Sequence, residues 1–283
     1  MVLESLLSPE NAERKPWELL FIGIIYTTIA IFLALWIFSD QASLVTVFLI
    51  VLASIPLVYR TMRYEESKDL VITKESSLLR EHNKAVVFLM FLFLGFTLAS
   101  VLWYVVLPVN LTSILFEKQT STIQAINNQV SGRVTGSMAV YNKIFLNNLK
   151  VLSFSVIFSF IYSTGAIFIL AWNATVIGAA IGNFIRNNLS YYTSSLGYAS
   201  VGNYLHIISL GLLKYAVHGI PEIMAYFYGG LAGGILSIAI IRKHYKSDIF
   251  NHIMADFFEM LLLSVAFLIV AAFLEVFVTP ILF

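Results

Sequence analysis

The run His218-Gly219-Ile220-Pro221-Glu222 holds the densest chemistry in this chain. An imidazole and a carboxylate at that spacing can bind a divalent metal, pass a proton or act as a general base. A metal would need at least a third ligand, which Glu275 or an Asn side chain would have to bring. No metal is fixed firmly: His218 and Glu222 are the candidate ligands, and a divalent ion is the one cofactor they suggest. Asn147, Asn148, Asn173 and Glu275 are the other polar side chains set inside or beside apolar runs. Such groups are costly in hydrocarbon and face a bundle interior or a cavity. Asn147, Asn148, Asn173, His218, Glu222 and Glu275 therefore make one candidate intramembrane polar cluster. A structural role competes with the chemical ones. Pro221 suits the first turn of a helix, Glu222 would then sit where the helix dipole favours a carboxylate, and a His218–Glu222 hydrogen bond would cap that helix. No catalytic residue is assigned, because the chain has no phosphate-binding loop, dinucleotide-binding glycine fingerprint, HExxH or nucleophile elbow.

The elements that must hold these groups follow from composition. The 283 residues are 59% hydrophobic and only 12% charged, with mean hydropathy +0.86; a soluble domain carries roughly 45–50% and about 25%. There is too little charge to coat a water-facing surface, so the lipid bilayer is the first partner. A net charge of +1 gives no footprint for nucleic acid. The absence of Cys excludes disulfides and thiolate metal sites. The first apolar run is too long for the roughly 7–15-residue core of a cleaved signal and is expected to be a retained crossing.

An all-α polytopic bundle is predicted, with about seven crossings plus one short interfacial or re-entrant helix. A crossing needs about 20 apolar residues. The candidates are Trp17–Phe38, Leu44–Tyr59, Ala85–Leu107, Phe145–Tyr162, Gly165–Ile185, Pro221–Ile241 and Met254–Thr279. Val201–Tyr215 is apolar but short, and reads as the interfacial or re-entrant piece. Three regions result: an N-terminal three-helix membrane region, 1–107; a polar extracytoplasmic segment, 108–142; and a C-terminal membrane domain, 143–283. Within the first, the charged loop 60–84 is expected to be a solvated cytoplasmic extension of the second and third crossings. His252, Asp256 and Glu259 read as interfacial.

Lys and Arg set orientation. Seven crossings put Arg14, Lys15, Arg60, Arg63, Lys68, Lys74, Arg80, Lys84, Arg242, Lys243 and Lys246 on one side, against Lys118, Arg133, Lys143, Lys150, Arg186 and Lys214 on the other. That bias predicts a multi-pass cell-membrane protein with a cytoplasmic N-terminus and an extracytoplasmic C-terminus. Gly178-x-x-x-Gly182, Gly229-x-x-x-Gly233 and Gly230-x-x-x-Gly234 let helix backbones approach closely. They predict tight packing of the fifth crossing on the sixth, with a homodimer seam as the alternative.

A family resemblance rests on residues in order. They are Asn147 and Asn148 in IFLNNLKV; Gly165, Asn173, Gly178 and Gly182 in STGAIFILAWNATVIGAAIG; His218, Gly219, Glu222, Ala225, Gly229, Gly230, Gly233 and Gly234 in HGIPEIMAYFYGGLAGG; and Glu275 and Pro280 in AAFLEVFVTPIL. Over roughly residues 140–283 the chain resembles the archaeal branch of the stage II sporulation protein M family. The resemblance implies an integral membrane bundle. The bacterial member looks like a scaffold that holds peptidoglycan-degrading partners at the engulfing septum, a role that does not transfer to an archaeal relative. It brings no catalytic residues with it.

Three functions are carried forward. A scaffold or assembly factor without its own catalysis, meeting membrane or extracytoplasmic protein partners, predicts a solid bundle with His218 and Glu222 paired. A transporter or channel for an ion or small solute predicts a water-filled cleft lined by Asn147, Asn173, His218, Glu222 and Glu275. A metal-dependent intramembrane hydrolase predicts His and Glu converging on an ion, with His206 as a distant extra.

Overall fold

A computed structural model describes residues 15–72, 75–131, 137–196, 201–247 and 249–282. All regular structure among them is helical. The elements are α1 (Trp17–Ile37), α2 (Ala42–Asp69), α3 (Glu75–Val106), α4 (Val109–Leu115), α5 (Glu117–Ser131), α6 (Ser137–Tyr162), α7 (Ala166–Leu196), α8 (Val201–Ile241), α9 (Ile249–Phe273) and α10 (Thr279–Leu282). A π-helical turn, Leu274–Val278, joins α9 to α10. Seven helices are long and apolar enough to cross a membrane: α1, α2, α3, α6, α7, α8 and the α9–α10 rod. The protein is a multi-pass membrane bundle, as its composition requires.

The segment Val201–Tyr215 is not a separate interfacial or re-entrant helix. It is the first part of α8, which runs 41 residues through Pro221 without a break; at 1.5 Å per residue that is about 60 Å. Pro221 is thus mid-helix rather than in a first turn. In a membrane helix, neighbouring helices and local adjustments absorb the missing hydrogen bond, so proline loses its force as a helix boundary. The polar segment 108–142 contains α4 and α5. Gln119 on α5 is buried and ties this segment to two crossings: its Oε1 accepts from Ser43 Oγ at 2.7 Å, and its Nε2 donates to Thr175 Oγ1 at 3.2 Å.

α8 is the axle. Of its most apolar stretch 89% is buried within the bundle, against 22% for α6 and for the α9–α10 rod, and it packs against α2, α3, α6, α7 and α9. Small residues permit this. A Cβ on Gly233 would lie 2.6 Å from the Val156 carbonyl oxygen of α6, and one on Gly234 2.6 Å from Met62 Sδ of α2. Gly178 and Gly182 face α3 instead, where their Cβ atoms would meet Ser100 and Tyr104. The expected glycine seam between fifth and sixth crossings is therefore split: α7 uses its glycines on α3, and α8 uses most of its own on α6 and α2. The sharp α6–α7 turn is buried, with Ser163 at φ 57° and its Oγ 2.9 Å from Ser237 Oγ of α8. Ser163 also lies beside Gly234, which puts this uncharged turn at the same end of the bundle as Met62 and the α8 C-terminus. At the opposite end Arg186 donates to the Val105 and Leu107 carbonyls, at 3.2 and 2.6 Å, where α3 runs out.

Gly233→Ala should destabilise the bundle by about 1–3 kcal/mol, the usual cost of overpacking, and lower the thermal midpoint in detergent. Gly219→Ala meets open space and should leave that midpoint unchanged or slightly raised.

Candidate functional site

Four crossings converge on a polar cavity of about 200 Å³. Asn147 and Asn148 come from α6, Asn173 from α7, His218 and Glu222 from α8, and Glu275 from the π turn. All six polar residues singled out from the sequence thus line one space. Lys143 and Tyr215 join them. The volume is well above the roughly 10–15 Å³ that one water needs.

Local structure sets how each group is presented. His218 and Glu222 are an i, i+4 pair on one face of α8, yet their recorded hydrogen bonds go elsewhere. Glu222 Oε1 accepts from Tyr226 Oη at 2.8 Å. His218 Nδ1 lies 3.4 Å from Thr279 Oγ1, whose proton goes to the Leu274 carbonyl at 3.0 Å. Nδ1–H is then the donor to Thr279, which leaves Nε2 as an acceptor. Asn173 Nδ2 donates to the Ile169 carbonyl of its own helix at 2.7 Å. Glu275 sits in the π turn, a local widening of the helix often found at functional sites.

The expected helix cap at Pro221 is absent, because α8 has no end there. Beside the polar cavity runs an apolar crevice of about 290 Å³ that shares Ile177, Tyr215 and Gly219 with it.

A second polar centre lies at the other end of the bundle, in residues expected to be solvated or interfacial. Glu65 and Asp69 of α2, His82 of α3 and Asp256 of α9 are buried, each at most 2% exposed. His82 Nδ1 is 2.7 Å from Glu65 Oε2. Its Nε2 is 3.1 Å from Asp69 Oδ1 and 3.2 Å from Asp256 Oδ2. Lys68 Nζ donates to Glu65 Oε1 at 2.8 Å. Among the described residues, the His and carboxylate atoms close enough to share a metal are those of Asp69, His82 and Asp256, not His218 and Glu222. His206 is exposed. Next to this centre, Glu66 of α2 is buried and accepts from Arg242 Nη1 at 2.7 Å, with His244 Nδ1 2.8 Å away.

The loop 60–84 is therefore not a free solvated extension. The signal for this was present in α2: Leu57, Val58, Thr61, Met62, Glu65, Glu66 and Asp69 are all buried. Their i, i+3, i+4 spacing carries the interior face of the helix past its apolar part.

An all-α bundle with seven membrane-crossing helices and a polar cavity among the last four defines the class as a polytopic membrane protein. The chain belongs to the stage II sporulation protein M family, which matches residues 84–280. That span takes in α3 from Lys84 onward, α4 and α5, as well as the stretch from which the resemblance was read. It contains every cavity residue named above; of the second centre it contains Asp256 but not Glu65, Asp69 or His82. No curated protein and no solved structure matches the chain.

Arg242→Met would leave buried Glu66 with His244 alone. Breaking a buried ion pair costs roughly 3–5 kcal/mol, and the 31% exposure of Arg242 places this one at the low end. Lys118→Met, at the exposed Glu117–Lys118 pair, should stay within about 1 kcal/mol. Thermal unfolding of both variants in detergent checks the contrast.

Proposed function

We propose that this protein is a non-catalytic membrane protein that admits a small cation or amine-bearing solute to the cavity between α6, α7, α8 and α9, as a transporter or channel. The observation that carries the reading is the convergence of Asn147, Asn148, Asn173, His218, Glu222 and Glu275 on one roomy space inside an apolar bundle. Polar groups in that position are costly unless they meet water or a ligand. The lining favours a cation: it carries two carboxyl groups, Glu222 and Glu275, and the amide oxygens of Asn147, Asn148 and Asn173, against one amine, Lys143. The π turn at Glu275 gives the last crossing a local irregularity beside the cavity, of the kind often found at functional sites. The same reading keeps the N-terminus cytoplasmic and the C-terminus extracytoplasmic, supported by the bias of Lys and Arg between the two ends.

The test is flux in proteoliposomes, with sodium, potassium, guanidinium and methylammonium as probes. Wild-type protein should pass at least one of them. Glu222→Gln and Glu275→Gln should each reduce that flux at least tenfold with folding intact, and Lys84→Gln should not. Vesicles no leakier than protein-free ones to the whole panel would overturn the transport reading and return the chain to a scaffold whose work lies with protein partners.

A further inference from the structure

We propose that Asp69, His82 and Asp256 form a binding site for one divalent transition ion, of the zinc or manganese kind, that staples α2 and α3 to α9. The site is separate from the solute cavity and shares no residue with it.

The first support is geometry. His82 Nε2 stands 3.1 and 3.2 Å from one oxygen of each aspartate. Ligand atoms held at about 2.0–2.2 Å from a common ion lie roughly 2.8–3.6 Å apart in octahedral or tetrahedral arrangements; both His82 spacings fall in that range, and the three ligand atoms all lie within 4.8 Å of one another.

The second support is unsatisfied polarity. His82 Nε2, both carboxylate oxygens of Asp69 and Asp256 Oδ2 are buried and have no hydrogen-bond partner among the described residues. Their approaches to one another are ionic contacts only, and buried polar atoms without hydrogen bonds, gathered at one point, are costly in a way that a divalent ion placed among them would offset.

The third is the outer partner. Nδ1 of His82 is engaged by Glu65 at 2.7 Å, and Lys68 holds the other oxygen of Glu65. A metal-bound imidazole commonly donates its second N–H to a carboxylate, which fixes the ring and its tautomer. Here that leaves Nε2 bare and aimed at the aspartates.

Charge points the same way. Glu65, Asp69 and Asp256 bring three carboxyl groups to the centre, and the nearest amine, Lys68, is shared between Glu65 at 2.8 Å and Glu81 at 3.8 Å; a divalent ion would offset this excess of acidic groups. A mixed imidazole and carboxylate set suits zinc or manganese, whereas calcium and magnesium prefer oxygen ligands throughout. Because Asp69 and His82 precede the family-matched span and Asp256 lies within it, the ion would fasten α2 and the first turns of α3 to the family-matched part of the chain.

The experiment is metal analysis of the full chain purified in detergent without a polyhistidine tag, after growth with zinc and manganese. One ion per chain is expected. Chelation should lower the thermal midpoint by several degrees, and ZnCl2 or MnCl2, but not MgCl2, should restore it. Asp256→Asn and His82→Gln should lose both the ion and the response to chelator; Glu222→Gln and Glu275→Gln should keep both. If the first pair fails to fold, chelation of the wild type decides. Metal-free protein whose midpoint ignores added zinc and manganese would overturn the proposal. So would an ion that disappears in Glu222→Gln or Glu275→Gln, since it would then sit in the solute cavity.

Discussion

No water reaches the hydrocarbon core to satisfy a polar group, so each one inside the bundle must find a partner within the protein or a cavity. That constraint organises the structure. Hydroxyls on the crossings bond back to their own helices, as Ser54 does to the Ile50 carbonyl and Ser264 to the Met260 carbonyl. The frayed end of α3 is capped by Arg186. Much of what remains is gathered into two places, the cavity lined by residues between Lys143 and Glu275 and the carboxylate–histidine centre at the opposite end. The bundle around them depends on α8 and its neighbours approaching closely, which the glycines at 229, 230, 233 and 234 allow.

The crossings were legible because their signal is average hydrophobicity over about 20 residues, and no tertiary knowledge is needed to read it. The cavity residues were legible for a related reason: an Asn, His or Glu in an apolar run is conspicuous whatever it touches. Their partners were not. Tyr226, which holds Glu222, and Thr279, beside His218, are too ordinary in a membrane helix to be noticed. Pro221 misled, since the rule that proline opens helices comes from chains whose backbone can turn to water.

The carboxylate–histidine centre escaped for the opposite reason. Charged residues in 60–84 alternate in sign and look like a solvated face, and Asp256 lies far from them in sequence. Only the fold brings α2, α3 and α9 together. Helical spacing could have shown that Glu65, Glu66 and Asp69 continue the buried stripe of Leu57, Thr61 and Met62, but not that His82 meets them. The two centres divide the work by position. One leaves room among its polar groups; the other draws them to contact distance where α2, α3 and α9 meet.

The most direct test of the cavity uses a property the chain already has, its freedom from cysteine. Asn173→Cys places one thiol on the cavity wall, and Ser264→Cys places one in fully buried packing. In intact vesicles a small, membrane-impermeant cationic thiol reagent should modify the first and not the second, while both react once unfolded. Equal protection of the two thiols would contradict a water-filled cavity and leave these polar residues as buried packing.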